Sequence, residues 1–242
     1  MSKFTNLILK YKNLSFNKRT DLNNKITLIG NLIWATMKFV FAIFIKSVFI
    51  SLSGMYTIFI ALAKTAYFDG RRNRTSVYSE RKHVKRISFA LILSGISYLA
   101  YFIELFKSPQ QTSYDLIFSI TLATIAFCEV TFSVIGIFKS KKTNDLLLTS
   151  LKYINLASAL SSIVLTQIAL LSLETTASQS AIYNTITGMI VGFATIVIAI
   201  FMLVLGNYKF TRSKAQIKKK SMFSPAKNKL ISKVYKGAIN EN

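Results

Sequence analysis

Lys38, Glu129 and Lys152 each stand inside a long apolar run of this chain. Moving an ionisable group out of water costs a few kcal/mol, so such residues are kept where they are paired or used. An acid and a base at one level can neutralise each other and set the helix register. The acid can alternatively titrate and couple to the passage of a proton or ion. Glu129 is expected to pair with Lys152 or with Lys38. Asn155, Ser158, Ser161, Ser162 and Gln167 give the run around Lys152 a polar side. Such a side either hydrogen-bonds to neighbouring helices or lines a polar path.

Other chemistry is excluded by composition. A single cysteine, Cys128, rules out an internal disulfide, and a single histidine, His83, rules out a multi-His metal site. Cys128 reads as a small buried packing residue and His83 as part of a solvent-facing basic loop. No Gly-rich phosphate loop, nucleophile elbow or carboxylate cluster is present. The expectation is a protein that is not an enzyme and uses no cofactor.

The elements that must position these residues are helices. The chain has 242 residues, 52% of them apolar and 17% charged, with a mean hydropathy of +0.42. Those charges are too few to cover a soluble globule. A bilayer core about 30 Å thick needs roughly 20 apolar residues in a helix. Six runs meet that length, at 27–45, 47–66, 87–106, 114–138, 146–172 and 181–206. Barrel strands are excluded because the runs are too long and do not alternate. The N-terminal stretch is basic and lacks the pattern of a cleaved signal peptide. Lys38 is expected roughly 16 Å, Glu129 roughly 15 Å and Lys152 roughly 9 Å from the same side, at 1.5 Å per residue. Glu104 falls at the opposite end of the third run.

The formal net charge of +22 comes from 31 Lys and Arg against nine Asp and Glu. Residues 1–26 hold six of the cations, 64–86 eight, 139–142 three and the stretch from 207 onward ten, together 27. These segments alternate with the apolar runs, so the positive-inside bias predicts six spans with both termini cytoplasmic. The basic segments are then expected to meet anionic lipid headgroups, at about 1 kcal/mol per cation, and not nucleic acid. Residues 1–26 form a basic amphipathic N-terminal segment, with Phe4, Leu7, Ile8 and Tyr11 on one side. Residues 27–206 form the membrane domain and 207–242 a basic tail. In that tail Ser224 and Pro225 can start a second short amphipathic helix carrying Leu230, Ile231 and Val234.

The first hairpin carries Asn31, Lys38 and Ser47, and the third run begins at Arg86 and leads to Glu104-Leu-Phe-Lys-Ser-Pro109. Leu151 and the Ala159-Leu160-Ser161-Ser162 run add to the pattern. Over about residues 27–206 the chain resembles the transmembrane domain of the cation diffusion facilitator (cation efflux) family. The resemblance implies a six-helix bundle, a homodimer, and a mid-membrane metal site made by Asp and His four residues apart on the second and fifth helices. The matching second-helix positions here are Tyr56 and Ile60, and those on the fifth lie near Ile154 and Ser158. None is a good zinc ligand, so the site is expected to be degenerate and no metal is expected. The family's soluble metal-binding domain has no room in the 36 residues from 207 onward.

The fold class expected is therefore an all-α membrane protein. Two functional classes remain open. One is a transporter-like protein with a non-zinc or altered substrate, using Glu129 and the polar fifth helix. The other is a non-transporting scaffold, regulatory or assembly subunit that binds a protein partner. A continuous polar cavity reaching Glu129 discriminates the first from the second.

Overall fold

The computed structural model describes residues 13–45, 48–73, 76–107, 115–143, 145–174 and 176–222. Both expected amphipathic segments, around residues 4–11 and 224–234, lie outside the described residues. Six helices are described: α1 (Phe16–Ile45), α2 (Val48–Arg72), α3 (Val77–Lys107), α4 (Leu116–Lys142), α5 (Leu146–Glu174) and α6 (Ala177–Met222). No strand occurs among the described residues. Five helices contain a segment long and apolar enough to cross a membrane: Lys18–Phe44, Tyr78–Lys107, Ser119–Lys142, Leu146–Leu173 and Ser178–Gln216. The sixth, α2, carries Ser51, Ser53, Tyr56, Thr57, Lys64 and Tyr67.

The helices overrun the apolar stretches that announce them. The basic 64–86 segment, expected as a loop, is mostly helical: α2 continues to Arg72 and α3 starts at Val77. Arg and Lys are good helix formers, and Arg71 and Arg72 in the last turn of α2 complement its dipole. Hydropathy marks where a helix leaves an apolar medium, not where it ends. The same holds for α6, whose 46 residues make a rod roughly 69 Å long that continues several turns beyond the apolar run ending at 206.

Burial follows a membrane pattern rather than a soluble one. On α1 the bundle-facing residues include Thr20, Asn24, Ala35 and Ala42, all buried, while Ile26, Ile29, Ile33, Ile43 and Phe44 are exposed. On α4 the buried stripe is Ser119, Ala126, Ser133 and Ser140, seven residues apart, and Ile117, Phe127, Phe132 and Phe138 face outward. In water this distribution would be inverted. In lipid, apolar side chains gain little by leaving the surface, and small or hydroxylated residues make the helix contacts.

The bundle is built around α2, α3, α5 and α6. Its most extensive pairings are α3 with α6, α2 with α3, and α4 with α5, while α1 rests mainly on α2. The α3–α6 seam is a close backbone approach. Gly188 and Gly192, four apart on α6, meet Phe102 and Leu99 of α3, and Gly95 faces Ile196 and the Gly192 carbonyl. A Cβ on Gly95 would lie 2.6 Å from Ile196 Cγ1, so the seam closes only with glycine there.

Polar ties hold the end of the bundle rich in Lys and Arg. Asp145 caps α5, accepting from the Leu148 N–H at 3.0 Å, and its other oxygen accepts from Arg71 Nη1 at 2.5 Å. Arg71 Nε lies 3.7 Å from Asp21 of α1, which also accepts the Tyr67 hydroxyl proton. One guanidinium thus links α1, α2 and α5. Burial works against its charge more than any other single influence. The Asp145 hydrogen bond and the nearby carboxylates together outweigh it and hold the Arg71 pKa above its ordinary value. Arg71→Ala strands Asp145, whose side chain is 9% exposed. The expected loss is about 2 kcal/mol, less than for a fully buried pair because Arg71 is partly solvated. It is read as a lowered melting temperature in detergent. Asp145→Asn should cost less, since asparagine keeps the cap.

Candidate functional site

Lys38 sits on the face of α1 that meets α2. Its Nζ donates to Ser53 Oγ at 2.8 Å and reaches Thr57 Oγ1 at 3.4 Å. Ser53 and Thr57 are one turn apart on α2, so both hydroxyls fall under the same ammonium. Glu129 projects from α4 and is exposed, and Ser162 of α5 donates to its Oε2 at 2.6 Å. Among the described residues no cation lies within 4.0 Å of Glu129.

Lys38 and Glu129 line one cavity of about 260 Å³. Asn31 joins Lys38 on the α1 wall, and Ser158, Ser161 and Ser162 form the α5 wall. The third wall is aromatic. Tyr56 of α2 tilts against Tyr98 of α3 at 4.7 Å between centroids, and Tyr98 stacks on Tyr101 at 6.1 Å. The Tyr56 hydroxyl donates to the Ala157 carbonyl at 3.1 Å, which pins that ring across the α2–α5 contact. The cavity is therefore polar on the α1 and α5 sides and aromatic between them. Tyr56 and Ile60, where the resemblance would put half of a metal site, both lie in its wall. Among the described residues no three of His, Cys, Asp and Glu converge on one point.

Comparison with protein-family models, curated proteins and solved structures finds no match to this chain.

The structure brings together Lys38, Glu129 and Ser158, with Tyr56 and Ile60, and leaves Lys152 and Asn155 outside the cavity. The expected Glu129–Lys152 pairing does not form. Lys152 Nζ donates to Thr20 Oγ1 of α1 at 3.3 Å, and its stem lies against Gly136 of α4. Glu129 and Gly136 are seven residues apart on α4, about 10 Å along the helix, so a lysine lying over Gly136 is drawn away from the carboxylate. The alternative, Glu129 with Lys38, is realised as two charges on one cavity and not as an ion pair. Gln167 ties α5 to α6 by donating to the Tyr183 carbonyl at 3.1 Å. Glu104 lies in the last turns of α3, partly exposed.

Two single residues depart from expectation. Cys128 is exposed on the outer face of α4, because that helix turns its small residues at 119, 126 and 133 inward and 128 lies off that stripe. His83 is buried within α3, packed over Gly70, where the α2 backbone comes close enough that an added Cβ would sit 2.8 Å from the His83 side chain. Its Nδ1 is 3.5 Å from Asp69 Oδ2.

Sequence reasoning missed Lys64. Assigned to a loop, it is 3% exposed on α2, donates to Thr27 Oγ1 at 3.0 Å, and is close enough to feel the Glu129 charge. The signal was present. Ser53, Thr57, Lys64, Tyr67 and Arg71 recur every three, four or seven residues on α2, opposite Asp21, Asn24, Thr27, Asn31 and Lys38 on α1. Facing polar stripes of this kind mark the α1–α2 interface.

Proposed function

We propose that this chain is a six-span protein of the cytoplasmic membrane, with both termini cytoplasmic, that binds and carries a small polar solute through its bundle. The observation that supports the reading is the cavity shared by Lys38 of α1 and Glu129 of α4, walled by serines of α5. An ion pair serving only to fix helix register would close on itself, whereas these two charges border open space. The sequence resemblance to cation-efflux proteins adds a scaffold hypothesis with an altered substrate, since Tyr56 and Ile60 stand where that family places ligands. The Lys- and Arg-rich end would face anionic lipids, and a homodimer is implied by the same resemblance. The polar ties of Asp21, Tyr67, Arg71 and Asp145 would then close the cytoplasmic side in this conformation.

The test is uptake into proteoliposomes containing the purified chain, using a panel of labelled inorganic ions and small polar solutes, with and without a pH gradient. Saturable uptake of at least one solute is expected. No uptake or binding of any panel member would leave the non-transporting scaffold as the better reading. Reporter fusions at each terminus check the orientation, and both are expected to report the cytoplasm.

A further inference from the structure

We infer that the cavity takes a small zwitterion, a solute of amino-acid size with a carboxylate at one end and an ammonium at the other. The inference rests on the solute-binding reading above and names its substrate class. Three observations carry it. The cavity has one cationic and one anionic wall residue, on different helices, with no ion pair between them among the described residues. A lone anion would be repelled by Glu129, and a lone cation by Lys38, while a solute bearing both charges satisfies both walls. Among the described residues Glu129 is the one carboxylate on the cavity and no three of His, Cys, Asp and Glu converge there, which leaves a divalent cation short of the charged ligands it needs.

Each end has hydroxyl support of the right polarity. Ser53 accepts from Lys38 Nζ, which leaves its own proton to donate to a carboxylate held by the lysine. At the other end Ser162 orients the Glu129 carboxylate by donating to one oxygen, leaving the second to accept from an ammonium. The Tyr56, Tyr98 and Tyr101 rings suit the short body between the charges, and ring faces also attract an ammonium. The volume of about 260 Å³ lies just below the roughly 300–1,000 Å³ of pockets for drug-sized ligands, which sets the solute at a few heavy atoms.

The experiment is calorimetric titration of the full chain in nanodiscs with glycine, L-serine and 4-aminobutyrate. The singly charged analogues acetate, butyrate, ethylamine and butylamine are titrated alongside. At least one zwitterion is expected to bind 10-fold or more tightly than both of its analogues. Lys38→Met should bring the zwitterion level with the amine, and Glu129→Gln should bring it level with the carboxylate. Because the ligand comparison on the wild-type chain needs no variant, a misfolded variant does not blunt it. An amine or carboxylate that binds as tightly as its zwitterion, lost on Glu129→Gln or Lys38→Met, sinks the zwitterion assignment and leaves the solute site standing. Absence of binding by every panel member, together with absence of uptake in proteoliposomes, sinks both.

Discussion

Glu129→Gln is expected to cut solute uptake by about 10- to 100-fold while the chain still folds. A hydrogen bond to a charged group contributes about 1.5–3 kcal/mol, and each 1.4 kcal/mol is tenfold. Glutamine keeps an oxygen to accept from Ser162, so the α4–α5 contact survives and only the negative charge is lost. Lys152→Gln is the control and should change uptake by less than about threefold, a shift under 1 kcal/mol, because Lys152 answers to Thr20 and Gly136 outside the cavity. The double exchange Glu129→Lys with Lys152→Glu should restore nothing, since those two residues do not meet. Initial-rate uptake in proteoliposomes at matched protein loading measures all three. Equal losses for Glu129→Gln and Lys152→Gln would point away from the cavity as the site.

The second large effect is structural. Gly188→Leu is expected to destabilise the bundle by about 3 kcal/mol or more, because even a single Cβ there runs into the Phe102 ring. Phe102 is fully buried and held among Tyr98 and Tyr101, so it has nowhere to rotate. Gly30 is the internal comparison: nothing lies within 4 Å of a Cβ added to it. Gly30→Ala should be neutral or slightly stabilising, by up to about 1 kcal/mol, as expected for an open helical position. Thermal unfolding followed by size-exclusion fluorescence separates the two. A Gly188→Leu chain as stable as wild type would mean that α3 and α6 do not pack as described.

Several features of the bundle were legible from residue types alone. The lengths of the apolar runs announced helices, since length in an apolar medium is a local property. Lys38 and Glu129 stood out because each is expensive where it sits, and Ser158, Ser161 and Ser162 stood out as a polar side on an otherwise apolar helix. Other features depended on neighbours. His83 reads as a solvated residue among Arg81, Lys82, Lys85 and Arg86, yet it turns inward because position 83 falls on the face of α3 that meets Gly70. Lys64 looked like the start of a basic loop, because the apolar run ends just beyond it, at 66, while the helix continues to Arg72.

Composition and spacing by themselves determined an all-helical chain with apolar segments long enough for a membrane, and a few charged residues that had to be accounted for within them. Which charges face each other was decided only by the tertiary structure. Depth along a helix is set by counting residues, and that count put Lys38, Glu129 and Lys152 within reach of one level. Azimuth and partner are set by how helices pack, through contacts such as Gly95 against Gly192 and Lys152 over Gly136. Those contacts join residues far apart in the chain, and they turned three candidate charges into two that share a cavity and one that does not.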